Sequence, residues 1–258
     1  MIQLDLSKIR SILQKNGIEL VGREQLQSLV QQSKDFQFVS HLKGTGIEQV
    51  LTWLPKSKAQ LRQDLLALFY NGFHKKGYFV EFGATDGIHW SNTHLLEHEF
   101  EWKGIVGEPA RKYHNDLRNN RSCYVETDCV WSHTGQTLRF NETKVGYYST
   151  IEQFSNHDNH HTHRKDGRRY PVSSISLMDL LGKYNAPSHI DYLSIDTEGS
   201  EFEILSAFDF TRYSFSLITC EHNYTDNREK IHGLLSKHGY TRIMEDVSQF
   251  DDWYILQK

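Results

Sequence analysis

Two rhythms of apolar and polar residues share most of this chain. Short apolar runs of strand length alternate with longer segments whose apolar residues recur every three or four positions. Tyr78 to Phe82, Ile105 to Gly107, Ser122 to Val130, Gln136 to Phe140, Asp191 to Ile195 and Phe215 to Cys220 read as strands. Between them, Ala59 to Asn71 turns Leu61, Leu65, Leu66, Leu68 and Phe69 inward, and another helix carries Leu95, Leu96 and Phe100. Ser176 to Tyr184 and Asn227 to His238 complete the helical set, the last closed by Gly239. Tyr240 to Met244 and Trp253 to Leu256 read as a closing antiparallel pair. Strands separated by helices throughout predict an α/β fold with a doubly wound, mostly parallel sheet.

The flanks of this pattern differ from it. The first 55 or so residues are polar with helical spacing, one stripe on Ile9, Ile12 and Leu13 and another on Leu26, Leu29 and Val30. This predicts a helical extension over 1–57 before a main domain over 58–258. The extension would serve as a lid, a substrate platform or a contact in a homo-oligomer, or else pack on the core. Residues 141–172 show the least periodicity. They hold Tyr147, Tyr148 and four histidines, His157, His160, His161 and His163. No cysteine or fixed acid accompanies these histidines at a regular spacing, so a zinc site is not expected. A loop over the substrate fits better, with Tyr147, Tyr148 and His160 as acceptor contacts, beside the plainer reading of a solvated loop.

The stretch from Tyr78 to Thr93 carries the first chemistry. A buried strand runs into a Gly83-Ala84-Thr85-Asp86-Gly87 turn, and Ser91, Asn92 and Thr93 open the next helix. Such a turn, at the carboxyl edge of an open sheet, is where cofactors bind. The spacing is not G-x-G-x-x-G. The turn offers Glu81 and Asp86 and no lysine or arginine, which repels a pyrophosphate and favours a cation. S-adenosylmethionine, with an ammonium and a sulfonium, fits that charge better than NAD or ATP. Glu108, followed by Pro109 at the end of the next strand, stands where an acid typically takes ribose hydroxyls. Asp128 and Cys129 close the third strand, where Asp128 can accept from an adenine amino group.

Composition narrows the setting. Net charge is −4 over 258 residues, which disfavours non-specific nucleic-acid binding. No apolar run reaches transmembrane length, and no basic-then-apolar leader opens the sequence. Three cysteines, Cys123, Cys129 and Cys220, lack metal spacing, and a reduced cytoplasmic setting is expected.

Taken in order, the motifs resemble the FkbM family of S-adenosylmethionine-dependent O-methyltransferases from about Ala59 onward. The resemblance rests on Gln60 with Gln63-Asp64, on Gly77 to Ala84 with Asp86-Gly87 and Ser91 to Thr93, on Trp102-Lys103-Gly104 leading to Glu108-Pro109, and on Asp191 to Glu201. Arg62 departs from it, standing where a glycine is common. The resemblance implies a class I methyltransferase-like, Rossmann-type fold, with Glu81, Gly83, Asp86 and Glu108 on the cofactor. It also implies a sugar, a glycolipid-linked glycan or a surface polysaccharide as acceptor, as in polysaccharide biosynthesis.

Methyl transfer to a sugar hydroxyl needs the proton taken away. His222 is one candidate base and Asp196 the other, with Glu198 beside it at the same sheet edge. A second route is a divalent cation, Mg²⁺ or Ca²⁺, on Asp196 and Glu221 with Glu198 or Asn223. Ser200 and Glu203 fit a capping box and are expected to serve the helix they open. Two other classes stay open: a nucleotide-sugar oxidoreductase or epimerase on the same sheet, and a non-catalytic cofactor-binding subunit.

Overall fold

The computed structural model describes residues 13–17 and 21–257. Ile9 and Ile12 of the first expected stripe lie outside them. The chain divides into two units between His41 and Leu42. In the first, Arg23–His41 is one helix on which Leu26, Leu29 and Val30 stand exposed.

The second unit is built on a seven-stranded sheet. Its strands are β1 (Tyr78–Phe82), β2 (Lys103–Gly107), β3 (Tyr124–Glu126), β8 (His189–Ile195), β9 (Ser214–Glu221), β10 (Tyr240–Ile243) and β11 (Asp251–Leu256). The order across the sheet is β10-β11-β9-β8-β1-β2-β3. β1 pairs in parallel with β2 on one side and β8 on the other, so the winding direction reverses at β1. β11 runs antiparallel between β9 and β10. Val80, Phe82, Ile105, Leu193, Ile195 and Ile218 are buried under the helices Leu177–Lys183, Glu201–Ser206 and Asn227–Lys237. Burial on both sides of the central strands is why they read as continuous apolar runs.

A second, four-stranded sheet was not visible in the periodicity. Its order is β4 (Cys129–Trp131), β7 (Arg168–Ser176), β5 (Thr137–Glu142), β6 (Thr150–Ile151). The third expected strand is therefore two strands, β3 and β4, with Thr127 and Asp128 on the turn between them. Phe140, Ile151, Phe154, Tyr170 and Val172 form its own small core with Ala110 and Cys129.

The helix expected from Ala59 begins later, at Gln63, and runs to Tyr70. The Asp64 carboxylate accepts from Ser57 Oγ at 2.6 Å and from Lys58 N at 3.1 Å, which folds the preceding segment back across the helix start. Arg62 sits between the two at φ 67°, in the left-handed region. That is a conformation glycine adopts at least cost, and it gives a physical reason for a glycine at this position elsewhere. The expected capping box does not form. Ser200 Oγ donates to Thr197 Oγ1, and Glu201 rather than Glu203 accepts from the Thr197 and Gly199 amides.

Candidate active site

The strand ends β1, β2, β8 and β9 open on one side into a single large cavity. It lies at the reversal of winding beside β1, where open α/β sheets bind ligands. Gly83 closes β1 at φ 79° with its Cα packed on the next strand end: a methyl group there would lie 2.0 Å from the Asp196 carbonyl oxygen. This close approach joins the glycine turn to the acidic end of β8.

Gly83, Thr85, Asn92, Glu108, Pro109, Asp128 and Cys129 line one part of the cavity. Glu108 accepts from Thr85 N at 2.9 Å and Ala110 N at 2.7 Å, one on each carboxylate oxygen. Burial raises its pKa to about 7 despite those two bonds; Glu142 adds to the rise and Lys112 opposes it. Asn92 donates from Nδ2 to Ser194 Oγ at 2.9 Å, while its buried Oδ1 has no hydrogen-bond partner. Asp196, Glu198, Glu221 and Asn223 line the part at the ends of β8 and β9. All three acids there have pKa values raised well above the usual carboxylate range, by burial first and then by neighbouring charge. Tyr147, Tyr148 and His160 also line the cavity, as do Gln60, Gln63, His89, Trp90 and Phe250.

Several residues singled out in the sequence stand elsewhere. Glu81 is not on the cavity wall. It shares a strand face with Phe79, opposite Phe82, and is buried among Ser91 Oγ (3.0 Å), the Asn92 amide (2.6 Å) and Thr93 Oγ1. Arg121, itself buried, pairs with both Glu81 and Glu97. Ser91 and Thr93 belong to this same network, so they hold the helix start rather than face the cavity. Asp86 turns its Oδ1 to the Ile88 and His89 amides at 2.9 and 2.8 Å, and Ala84 and Gly87 complete that turn. His222 is buried behind the wall. Its Nδ1 accepts from the Tyr224 amide at 2.9 Å and its Nε2 lies 3.8 Å from Asp252. Burial lowers its pKa.

Other features had no signal in the sequence. Arg164 is fully buried, held by two bonds to Asp158 (2.7 and 2.9 Å) and one to Glu198 (2.7 Å). It ties the histidine-rich segment to the cavity wall. The rings of His89, Trp90 and Tyr147 cluster with centroids 4.5 to 5.6 Å apart. Thr85, Trp90, Glu198 and Asn223 all adopt positive φ, between 44° and 59°. Such strain in side-chain-bearing residues concentrates at functional sites.

One property of the wall decides what it can hold. Glu108, Asp128, Asp196, Glu198 and Glu221 contribute five carboxylates, and no lysine or arginine lines the cavity. That composition suits a cationic cofactor and opposes a pyrophosphate. The unpartnered Asn92 Oδ1 adds a further acceptor for a cationic group.

The sequence profile described as the methyltransferase FkbM domain matches residues 81–254. The chain belongs to the FkbM methyltransferase family. It is thus an S-adenosylmethionine-dependent methyltransferase on a class I, Rossmann-like sheet. Among curated proteins no sequence matches it. In fold this FkbM protein is similar to a precorrin-6y C5,15-methyltransferase from Geobacter metallireducens GS-15, with 12% identity and a TM-score of 0.41 over 76% of this chain and 87% of that one. It is similar also to a fibrillarin/Nop5p complex, with 12% identity and a TM-score of 0.37 over 77% and 82%. No helix among the described residues is long and apolar enough to cross a membrane.

Proposed function

We propose that this FkbM-family enzyme methylates a hydroxyl of an uncharged, polyhydroxylated acceptor, a sugar or a glycan. The observation that supports it is the cavity wall, with five carboxylates, no lysine or arginine and the His89-Trp90-Tyr147 ring cluster. Carboxylates accept hydrogen bonds from hydroxyl groups, and aromatic faces cover the apolar C–H faces of a sugar ring. A nucleotide sugar or a nicotinamide dinucleotide would bring phosphates into an acidic cavity, which argues against the oxidoreductase reading.

In this reading Glu108 takes the ribose hydroxyls and Asp128 the adenine amino group. The Asp196 end of the cavity receives the acceptor and also holds a divalent cation. S-adenosylmethionine supplies an electrophilic methyl group. The acceptor oxygen forms the new bond to that carbon, and the carbon–sulfur bond breaks with its electron pair left on sulfur. The hydroxyl proton passes to Asp196, the carboxylate at the acceptor end of the cavity.

The test is transfer of labelled methyl to a panel of neutral oligosaccharides, sugar phosphates and nucleotide sugars. Label is expected in neutral saccharides. Label confined to phosphorylated acceptors, or to an amine, would overturn the reading.

Glu108 gives this reading a pH signature. The carboxylate form accepts ribose hydroxyls, so ligand binding competes with protonation. Affinity for S-adenosylhomocysteine is expected to hold above pH 7 and to fall below it, approaching about tenfold per pH unit. Glu142, Lys112 and His114 surround Glu108, so the comparison is made against Glu108→Gln. That variant should bind about tenfold more weakly at pH 8 and lose most of the slope. Calorimetry from pH 5.5 to 8.5 reads both, and an unchanged slope in the variant would free Glu108 of this role.

A further inference from the structure

Where β8 and β9 end, the cavity wall gathers more carboxyl groups than it has basic partners for. One oxygen from each of Asp196, Glu198 and Glu221 lies within 4.8 Å of the others. Asp158 adds a fourth carboxylate, and among the described residues the close basic partner is Arg164, shared between Asp158 and Glu198. Glu198 Oε2 is fully engaged, accepting from Arg164 at 2.7 Å and from Asn223 Nδ2 at 3.1 Å. Its Oε1 is left for another partner. Glu221 is 6% exposed, lines the cavity, and its Oε2 has no hydrogen-bond partner. A buried carboxylate oxygen without a partner is costly, and a chain keeps one where a ligand completes it.

We propose that Asp196, Glu198 and Glu221 form a divalent-cation site, with Arg164 and Asn223 fixing the Glu198 ligand from behind. Three hard oxygen donors suit Ca²⁺, Mn²⁺ or Mg²⁺. Calcium–oxygen bonds of about 2.3–2.6 Å place ligands on opposite sides of one ion at most about 5 Å apart. The 4.8 Å limit on the oxygen separations therefore admits an ion of that size with little movement. Mg²⁺, with bonds of about 2.1 Å, needs the oxygens drawn inward. Arg164 plays the part of an outer partner: it occupies one oxygen of Glu198 and so orients the other. A cation here would hold an acceptor hydroxyl and lower its pKa, while the second oxygen of Asp196 still takes the proton. The site deepens the methyl-transfer reading of this cavity and rests on it for its purpose. Metal binding is measured without acceptor or transfer, so the two can fail separately.

The experiment is titration of Mn²⁺ into the full chain with no cofactor, read by paramagnetic resonance and calorimetry, with Ca²⁺ and Mg²⁺ as competitors. About one ion per chain is expected, displaced by Ca²⁺ more readily than by Mg²⁺. Losing even an outer partner of a metal ligand typically costs about 10–100-fold in affinity, so Glu221→Gln should lose at least about tenfold. Binding of S-adenosylhomocysteine by the variant verifies that the cavity is intact. If Glu221→Gln does not fold, Asp196→Asn makes the same comparison. No Mn²⁺ bound at millimolar concentration, or binding undiminished in a folded variant, would overturn the proposal.

Discussion

Gly83→Ala is expected to remove measurable binding of S-adenosylhomocysteine and to lower the unfolding midpoint. Two costs meet at this position. Alanine would have to hold φ 79°, a left-handed conformation that costs a non-glycine residue roughly 1–2 kcal/mol. Its methyl group would also lie 2.0 Å from the Asp196 carbonyl oxygen. That oxygen is backbone, and β1 and β8 are locked in register immediately upstream, Phe82 opposite Ile195. Relief requires the two strand ends to separate, and these are the ends that carry the two halves of the cavity. A displacement of about 1 Å at such a site typically costs on the order of 100-fold. Gly87 provides the comparison. It has a similar φ of 82°, but a methyl group there meets the Arg121 and Leu117 side chains at 2.7 and 2.8 Å. Side chains can shift where backbone cannot, so Gly87→Ala should retain binding with a smaller loss. Calorimetry on both variants decides. Normal binding by a folded Gly83→Ala protein would mean that the turn does not form the cofactor seat.

The parts of this arrangement that were legible in the sequence are those encoded locally. Tyr78 to Phe82 and Asp191 to Ile195 are apolar runs because both sheet faces are covered, and they read as strands without further information. The closing pair was visible for the same reason, although nothing local indicated that β11 would insert between β9 and β10. β7 was missed because its buried positions alternate with Arg169, Pro171 and Ser173, and its partner β5 gives it meaning only once paired. Side-chain direction was the other blind spot. Glu81 carried the right charge for a cationic cofactor, but strand alternation puts it on the Phe79 face, where Arg121, forty residues away, meets it. His222 follows Glu221 directly, and adjacent residues at a strand end point to opposite sides. The charge argument drawn from the turn survives in a different form. Of the two acids that suggested it, neither lines the cavity, yet the cavity wall as a whole is acidic and free of lysine and arginine.

The second large effect is expected at Asp196. Asp196→Asn keeps the size of the side chain and removes its capacity to hold a proton or a full negative charge. Methyl transfer to the acceptor should fall by roughly 100- to 10,000-fold, the range typical for loss of a positioned general base. Affinity for S-adenosylhomocysteine should change little, because the seat proposed for the nucleoside is at Gly83, Glu108 and Asp128. The backbone carbonyl against which Gly83 packs is also untouched by the substitution. The pairing of a large loss in kcat with near-normal cofactor binding separates a chemical role from a structural one. A structural role would show as a lower unfolding midpoint and weaker cofactor binding together. Relieving buried like charge is expected to act in the opposite direction on stability. Burial raises the Asp196 pKa first, and the neighbouring Asp251 and Glu201 carboxylates add to that rise. A carboxylate whose folded pKa lies above its unfolded value costs stability as pH rises through that interval. The neutral asparagine escapes that cost, so Asp196→Asn should unfold at an equal or higher temperature than the native chain at pH 8. An inactive variant that is also more stable would mark Asp196 as a residue kept for chemistry at the expense of the fold, whereas full activity in Asp196→Asn would move the proton to Glu198 or Glu221.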